Sequence, residues 1–120
     1  MRHSTCPNHE NNLLCITDDP VIQPFYFAKN LKVGQKTSIL CLASGTEPFQ
    51  FTWTKNGLPI TSTHIGIQGF DVSSTLTLKP IKKEDDGEYA CLVKNPVGSA
   101  SHSAVLSIER ELSYNPGVIT

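Results

Sequence analysis

The chain has 120 residues, 38% of them hydrophobic, with ten Lys and Arg against eleven Asp and Glu and a formal net charge of −1. That length holds one domain of about 100 residues and short tails, and the charge balance gives no long-range field to attract nucleic acid or an anionic membrane. No apolar run approaches the roughly 18 residues of a membrane-spanning helix, and Met1-Arg2-His3-Ser4-Thr5-Cys6 lacks the apolar segment of a secretory signal.

Residues 1–19 carry Cys6 and Cys15 around the polar stretch Glu10-Asn11-Asn12 and show no periodicity. Three readings stand for them: an arm closed by a local Cys6–Cys15 disulfide, a metal site of His3, Cys6, His9 and Cys15, or a leader without fixed structure. The metal spacing matches no common structural zinc pattern. The folded domain is expected over 20–110. Residues 111–120, with Pro116-Gly117, read as a tail or linker.

The stretch 20–27 is extended and is interrupted at Pro24, which an edge strand tolerates because the missing N–H breaks no ladder bond. Leu31-Lys32-Val33 continues it and Gly34 turns the chain. A strand follows over 36–43; with Cys41 facing in, Ser38, Leu40, Leu42 and Ser44 face out. After a turn at 45–48, a strand over 49–55 has an inward face made only of aromatics, with Trp53 twelve residues after Cys41. Asn56-Gly57 is a tight-turn signal before a short strand over 58–60. Ile65 and Ile67 alternate and suggest another strand, while Gly66 and Gly69 suggest irregular backbone. Over 74–78, Leu76 and Leu78 face in and Thr75 and Thr77 face out. The run Lys82-Lys83-Glu84-Asp85-Asp86 reads as a solvated turn with balanced charges. The next strand carries Tyr89 and Cys91 on one face and Ala90 and Leu92 on the other, and runs to Lys94. Asn95-Pro96-Val97-Gly98 is a hairpin loop. The last strand, 100–109, turns Ala104, Leu106 and Ile108 inward and leaves His102, Ser103, Val105 and Ser107 near the outer face.

The organising frame is Asp85-Asp86-Gly87-Glu88-Tyr89-Ala90-Cys91, that is D-x-G-x-Y-x-C, with Cys41 and Trp53 upstream. Cys41 can face Cys91 across a core, an indole can fill the space beside them, and the Tyr89 hydroxyl can reach back to backbone just upstream. The frame resembles that of an immunoglobulin domain: all-β, two antiparallel sheets in a Greek-key sandwich, with a Cys41–Cys91 disulfide and a core around Trp53, Tyr89, Leu76 and Leu78. A disulfide closing about 50 residues persists in an oxidising compartment and implies an extracellular domain; with both thiols reduced, the same sandwich would suit an intracellular muscle protein. The short span between Trp53 and Leu76, the split first strand and the N-P-V-G hairpin resemble the I-set.

Catalysis needs a convergent constellation. His3, His9, His64 and His102 stand in no nucleophile motif, and there is no G-x-S-x-G, no H-E-x-x-H and no phosphate-cradling glycine loop. Neither an enzyme nor a cofactor is expected. No asparagine begins an N-x-S/T sequon, which leaves both sheet faces open to protein. Both outer faces read as short of charge, which favours protein contact.

The opening Pro20-Val21-Ile22-Gln23-Pro24-Phe25-Tyr26-Phe27, then Leu31, Gly34, Cys41, Gly45, Pro48 and Trp53-Thr54-Lys55-Asn56-Gly57, is similar to the variable seventh immunoglobulin domain of arthropod Dscam and to the first domain of the shortened chelicerate Dscam proteins. The resemblance covers about residues 20–109. It implies a cell-surface adhesion receptor in which the domain pairs with an identical copy, antiparallel, through the sheet of strands A, B, E and D. Here that face would include Ser38, Leu40, Leu42, Thr75 and Thr77. Other expected partners are neighbouring immunoglobulin or fibronectin domains of the same receptor, with no nucleic acid and no membrane insertion by this stretch. The alternatives are a spacer domain of an intracellular muscle scaffold and a soluble immune-type binder using loops 45–48 and 95–98.

Overall fold

The computed structural model describes residues 18–109; Cys6, Cys15 and the tail at 111–120 lie outside them. Eight strands and one 3-10 turn follow in order: β1 Val21–Gln23, β2 Thr37–Ser44, β3 Gln50–Lys55, β4 Leu58–Pro59, β5 Ile65–Gly69, β6 Ser73–Leu78, the turn Lys83–Asp85, β7 Gly87–Lys94 and β8 Ser99–Leu106. They form two antiparallel four-stranded sheets, ordered β1-β2-β6-β5 and β4-β3-β7-β8. The first is the sheet of strands A, B, E and D. All described helical structure is the single 3-10 turn.

Alternation builds the core. On β2, Ile39, Cys41 and Ala43 are buried while Ser38, Leu40 and Ser44 are exposed; on β6, Ser74, Leu76 and Leu78 are buried. Tyr89, Cys91 and Val93 face them from β7, and Ala104 and Leu106 from β8. Cys41 and Cys91 are joined by a disulfide with Cα atoms 6.5 Å apart. Trp53 packs against Phe25 at 5.6 Å between ring centres, and its Nε1–H donates to the Ser74 hydroxyl at 2.9 Å. The first strand breaks at Pro24 and changes sheets: β1 pairs with β2, whereas Leu31 bridges Ile108 in parallel next to β8.

The turn into β7 is more than a solvated loop. The Tyr89 hydroxyl donates to the Asp85 carbonyl at 2.8 Å. Lys82, Lys83, Glu84 and Asp86 are exposed, but Asp85 is buried, so the solvated-turn reading is corrected at that one position: the Asp85 carboxylate accepts the Lys82 N–H at 2.7 Å and lies 2.8 Å from His64 Nε2. An ionised carboxylate stays in a core only when paired and hydrogen-bonded. Gly87 opens the strand at φ 151°, where a Cβ would lie 2.9 Å from the Asn56 side chain, so only glycine fits the approach of the β3–β4 turn. That turn, Asn56-Gly57, has φ of 52° and 81°, the two left-handed residues of a tight hairpin.

Burial pushes the Tyr89 phenol above its ordinary value, and the negative charges of Asp85 and then Asp86 add to the effect. The native state therefore keeps a proton that the unfolded chain releases near pH 10. A raised native value means stabilisation that is complete below that pH and is lost as pH climbs toward the native value. Tyr89→Phe should cost about 1 kcal/mol at neutral pH, the scale of one hydrogen bond, and should flatten the loss of stability on the alkaline side. Denaturant midpoints across alkaline pH check both parts.

His102 is a correction. It shares parity with Ala104 and Leu106, not with the exposed Ser101, Ser103 and Val105. Its ring sits edge-on to Phe25 at 4.4 Å, with Nε2 2.9 Å from the Phe25 carbonyl oxygen. The chain that Pro24 turned away from the first sheet brings its backbone to this imidazole, which gives the ring a polar partner on the inner side.

Candidate recognition face

The first sheet contains no ionisable residue. Val21-Ile22-Gln23, Thr37 to Ser44, Ile65 to Gly69 and Ser73 to Leu78 hold only apolar, hydroxyl, amide, glycine and cysteine residues. Parity and register place the outward side chains in rows. Val21 stands opposite Ser44, Gln23 and Ser73 flank Leu42, Leu40 faces Thr75 with Gln68 beyond it, and Ser38 faces Thr77 with Gly66 beyond. Ser38 and Thr77 hydroxyls are 3.2 Å apart. Leu40 is 46% exposed and Val21 60%, whereas Leu42, Thr75 and Thr77 are half-buried by their neighbours. The five side chains singled out in the sequence, Ser38, Leu40, Leu42, Thr75 and Thr77, thus lie together on one surface.

Sequence reasoning missed Val21, Gln23 and Tyr26 at the rim of this surface. Where β1 stops at Gln23, the chain lifts off the sheet and leaves a groove of about 290 Å³ lined by Gln23, Pro24, Phe25, Tyr26, Ser38, Ile39, Leu40 and Leu42. Pro24 was the signal available: a strand that must leave its neighbour exposes that neighbour's edge and the side chains beside it. Tyr26, 73% exposed, stands over the groove.

The opposite sheet differs, and the expectation that both outer faces are short of charge fits it less well than the first sheet. Glu88 and Lys94 lie on the outward parity of β7 with Ala90 and Leu92, one charge near each end of the strand. Ser103 donates to Glu88 at 3.1 Å. Between the charges the surface is small and polar, with Thr52, Thr54, Ser101 and Ser103 around Leu92 and Ala90.

At one end of the sandwich Asn95 ties three segments together. Its Nδ2 donates to the Asp18 carbonyl at 2.8 Å and to the Thr46 carbonyl at 2.9 Å, and its Oδ1 accepts the Val97 and Gly98 N–H groups at 2.9 Å each. Loops 45–48 and 95–98 are therefore braced against each other and against the start of the domain. Among the described residues no group of His, Cys, Asp and Glu could hold a metal ion, and no helix is long and apolar enough to cross a membrane. The metal reading of His3, Cys6, His9 and Cys15 lies outside those residues.

Residues 20–108 match the family model of the immunoglobulin I-set domain. The chain is 33% identical over 96 residues to the cell adhesion molecule Dscam2 of Drosophila melanogaster, covering 74% of this chain and 5% of that protein. Among solved structures it is similar to isoform 5 of the Dscam1 Ig7 domain, with a TM-score of 0.72 and 25% identity over 76% of this chain and 97% of that one. It is also similar to the titin I-band fragment I67–I69, with a TM-score of 0.70 and 27% identity over 76% of this chain and 32% of that one. The two-sheet sandwich, the Cys41–Cys91 disulfide, the Trp53 core and the tyrosine corner together with this match show that the chain belongs to the immunoglobulin I-set family.

Proposed function

We propose that this domain is an extracellular recognition module of a cell-adhesion receptor, and that it pairs with an identical copy, antiparallel, through the outer face of β1-β2-β6-β5. The observation that carries this reading is the absence of any ionisable residue from the four strands of that sheet. Two copies can meet there without burying an unpaired charge, which costs several kcal/mol. A two-fold axis makes such a face self-complementary, and outward Ser, Thr and Leu side chains can exclude copies whose residues mismatch.

The distribution of the remaining charge supports the antiparallel sense. Among the described residues, Asp18, Asp19, Glu47 and Asp71 gather at the end of the sandwich that carries loops 45–48 and 95–98, with Lys94 as the one cation there. Lys32, Lys36, Lys55, Lys79, Lys82 and Lys83 gather at the other end and outweigh Glu84, Asp85, Asp86, Glu88 and Glu109 there. An antiparallel pair sets a net acidic end against a net basic one, and a parallel pair sets like against like. The similarity to proteins named as cell adhesion molecules supports the setting, and the disulfide supports an oxidising compartment. A lone domain burying about 1,200 Å² or less should bind weakly, at about micromolar affinity.

Leu40→Asp tests the reading. Leu40 points away from the core and is 46% exposed, so the variant should stay folded. It brings two carboxylates together across the pairing face and should weaken self-association in sedimentation velocity about ten-fold or more, a change of about 1.4 kcal/mol or more. Leu92→Asp, on the other sheet, should change it little. The reverse pattern would move the interface to the outer face of β4-β3-β7-β8. The similarity to titin domains favours a second reading, a spacer in an intracellular scaffold, which predicts no self-association and free Cys41 and Cys91 thiols.

A further inference from the structure

Among the described residues the first sheet ends at β5, Ile65-Gly66-Ile67-Gln68-Gly69, with no strand beyond it. Its ladder to β6 uses even-numbered residues of this segment: the Lys79 N–H donates to the His64 carbonyl, and the Phe70 N–H donates to the Ser73 carbonyl. Antiparallel ladders alternate, so Ile67 and Gly69 direct N–H and C=O away from β6 toward the open side. An open edge is a template for another strand, and folded proteins ordinarily blunt it with lysine, proline, a bulge or a covering loop. β5 carries no charge and no proline, and its five residues run in unbroken register with β6. Ile67 is 49% exposed and Phe70, just beyond the strand, is 57% exposed.

We propose that β5 is a second self-association site, where two copies of this chain join edge to edge, antiparallel, about a two-fold axis at Ile67. In that register Ile67 meets Ile67, Ile65 meets Gly69, and Gly66 meets Gln68. Two hydrogen bonds cross at the Ile67 pair, and each Gly69 N–H adds one to the Ile65 carbonyl of the other copy; the Ile65 N–H is already held by the Ser62 carbonyl. The two Ile67 side chains lie side by side on the inner face of the joined sheet, where each now leaves apolar surface in water. Gln68 falls opposite Gly66, around which a Cβ would meet nothing, so its side chain has room.

The charges select a second copy in this orientation. Pairing carries the corner at Asp71, which follows β5, to the end where Lys79 of the other copy flanks the same strand. A parallel arrangement would set Asp71 beside Asp71. The joined sheet has twice the strands of the single one and still no ionisable residue in any of them. Edge pairing uses none of Ser38, Leu40 and Leu42, so it does not depend on the face pairing. It would arrange neighbours side by side while their broad outer faces stay free for copies opposite.

Amide hydrogen exchange followed by NMR at micromolar and millimolar concentration tests the proposal, on the chain carrying Leu40→Asp and on the unsubstituted chain. In both, exchange at Ile67 and Gly69 should slow about ten-fold or more as concentration rises. Gly66 and Gln68, already bonded to β6, should not change. Ile67→Lys sets like charges together at the axis, leaves the β5–β6 ladder in place and should abolish the slowing, with unchanged protection at Gly66 and Gln68 reporting an intact sheet. Ile67 and Gly69 amides that exchange equally fast at both concentrations overturn the edge dimer, as does slowing that survives Ile67→Lys. Face pairing leaves these edge amides open, so its own failure in Leu40→Asp reads out separately.

Discussion

Trp53→Ala should lower stability by about 3–5 kcal/mol, the range for deleting a large buried aromatic side chain. Trp53 is 5% exposed and belongs to the cluster that holds Cys41, Cys91, Leu76 and Tyr89. Its loss opens a cavity under Phe25, and close-packed surroundings collapse only partly into such a space. A second cost comes with it. The Ser74 hydroxyl, 1% exposed, now accepts the indole N–H, and would be left in the core without that donor. Trp53→Phe helps to separate the two contributions, since it keeps a six-membered aromatic ring in the core and removes the donor together with the smaller volume of the five-membered ring. Its cost should fall well below that of Trp53→Ala. Denaturant unfolding of the three proteins measures the series, and an Ala variant with an unmoved midpoint would mean that the indole is not packed in the sandwich.

Removing the disulfide should cost about as much. Cys41 and Cys91 are 50 residues apart, and closing a loop of that length restricts the unfolded chain by about 4 kcal/mol in the chain-entropy model. The Cys41→Ala, Cys91→Ala double variant avoids a single unpaired thiol in the core. Its midpoint should fall by that equivalent, and the parent in reductant should fall to match it. A thiol titration of the unfolded parent without reductant should find both cysteines blocked. Two free thiols at these positions would instead favour the intracellular scaffold.

The frame was legible because it depends on spacing. Cys41, Trp53, Tyr89 and Cys91 each follow from alternation along a strand, and alternation needs no knowledge of distant contacts. The strands holding Leu76, Leu78, Ala104 and Leu106 were legible for the same reason. His102 was misplaced although it keeps the parity of Ala104, because a polar ring reads as outward until something offers it a partner. That partner is the Phe25 backbone, 77 residues away, and it arrives only because Pro24 redirects the first strand. Asp85 was legible only in part: the D-x-G-x-Y-x-C frame gives it a structural place, while the charges around it read as solvated. In a run of five charged residues it looks solvated, yet it alone is buried there, held by the Lys82 N–H and by His64 from the segment before β5. On the candidate face, Ser38, Leu40, Leu42, Thr75 and Thr77 could be placed from alternation alone. The groove and Tyr26 could not, since they depend on where β1 leaves β2.

The most direct test of face pairing is a concentration series of amide and methyl chemical shifts. Leu40, Leu42, Thr75 and Thr77 should shift together as concentration rises, joined by Val21 and Tyr26 at the rim, while Thr52, Ala90 and Leu92 on the opposite sheet stay fixed. Shifts confined to loops 45–48 and 95–98, or to Leu92 and its neighbours, would contradict pairing through the uncharged sheet.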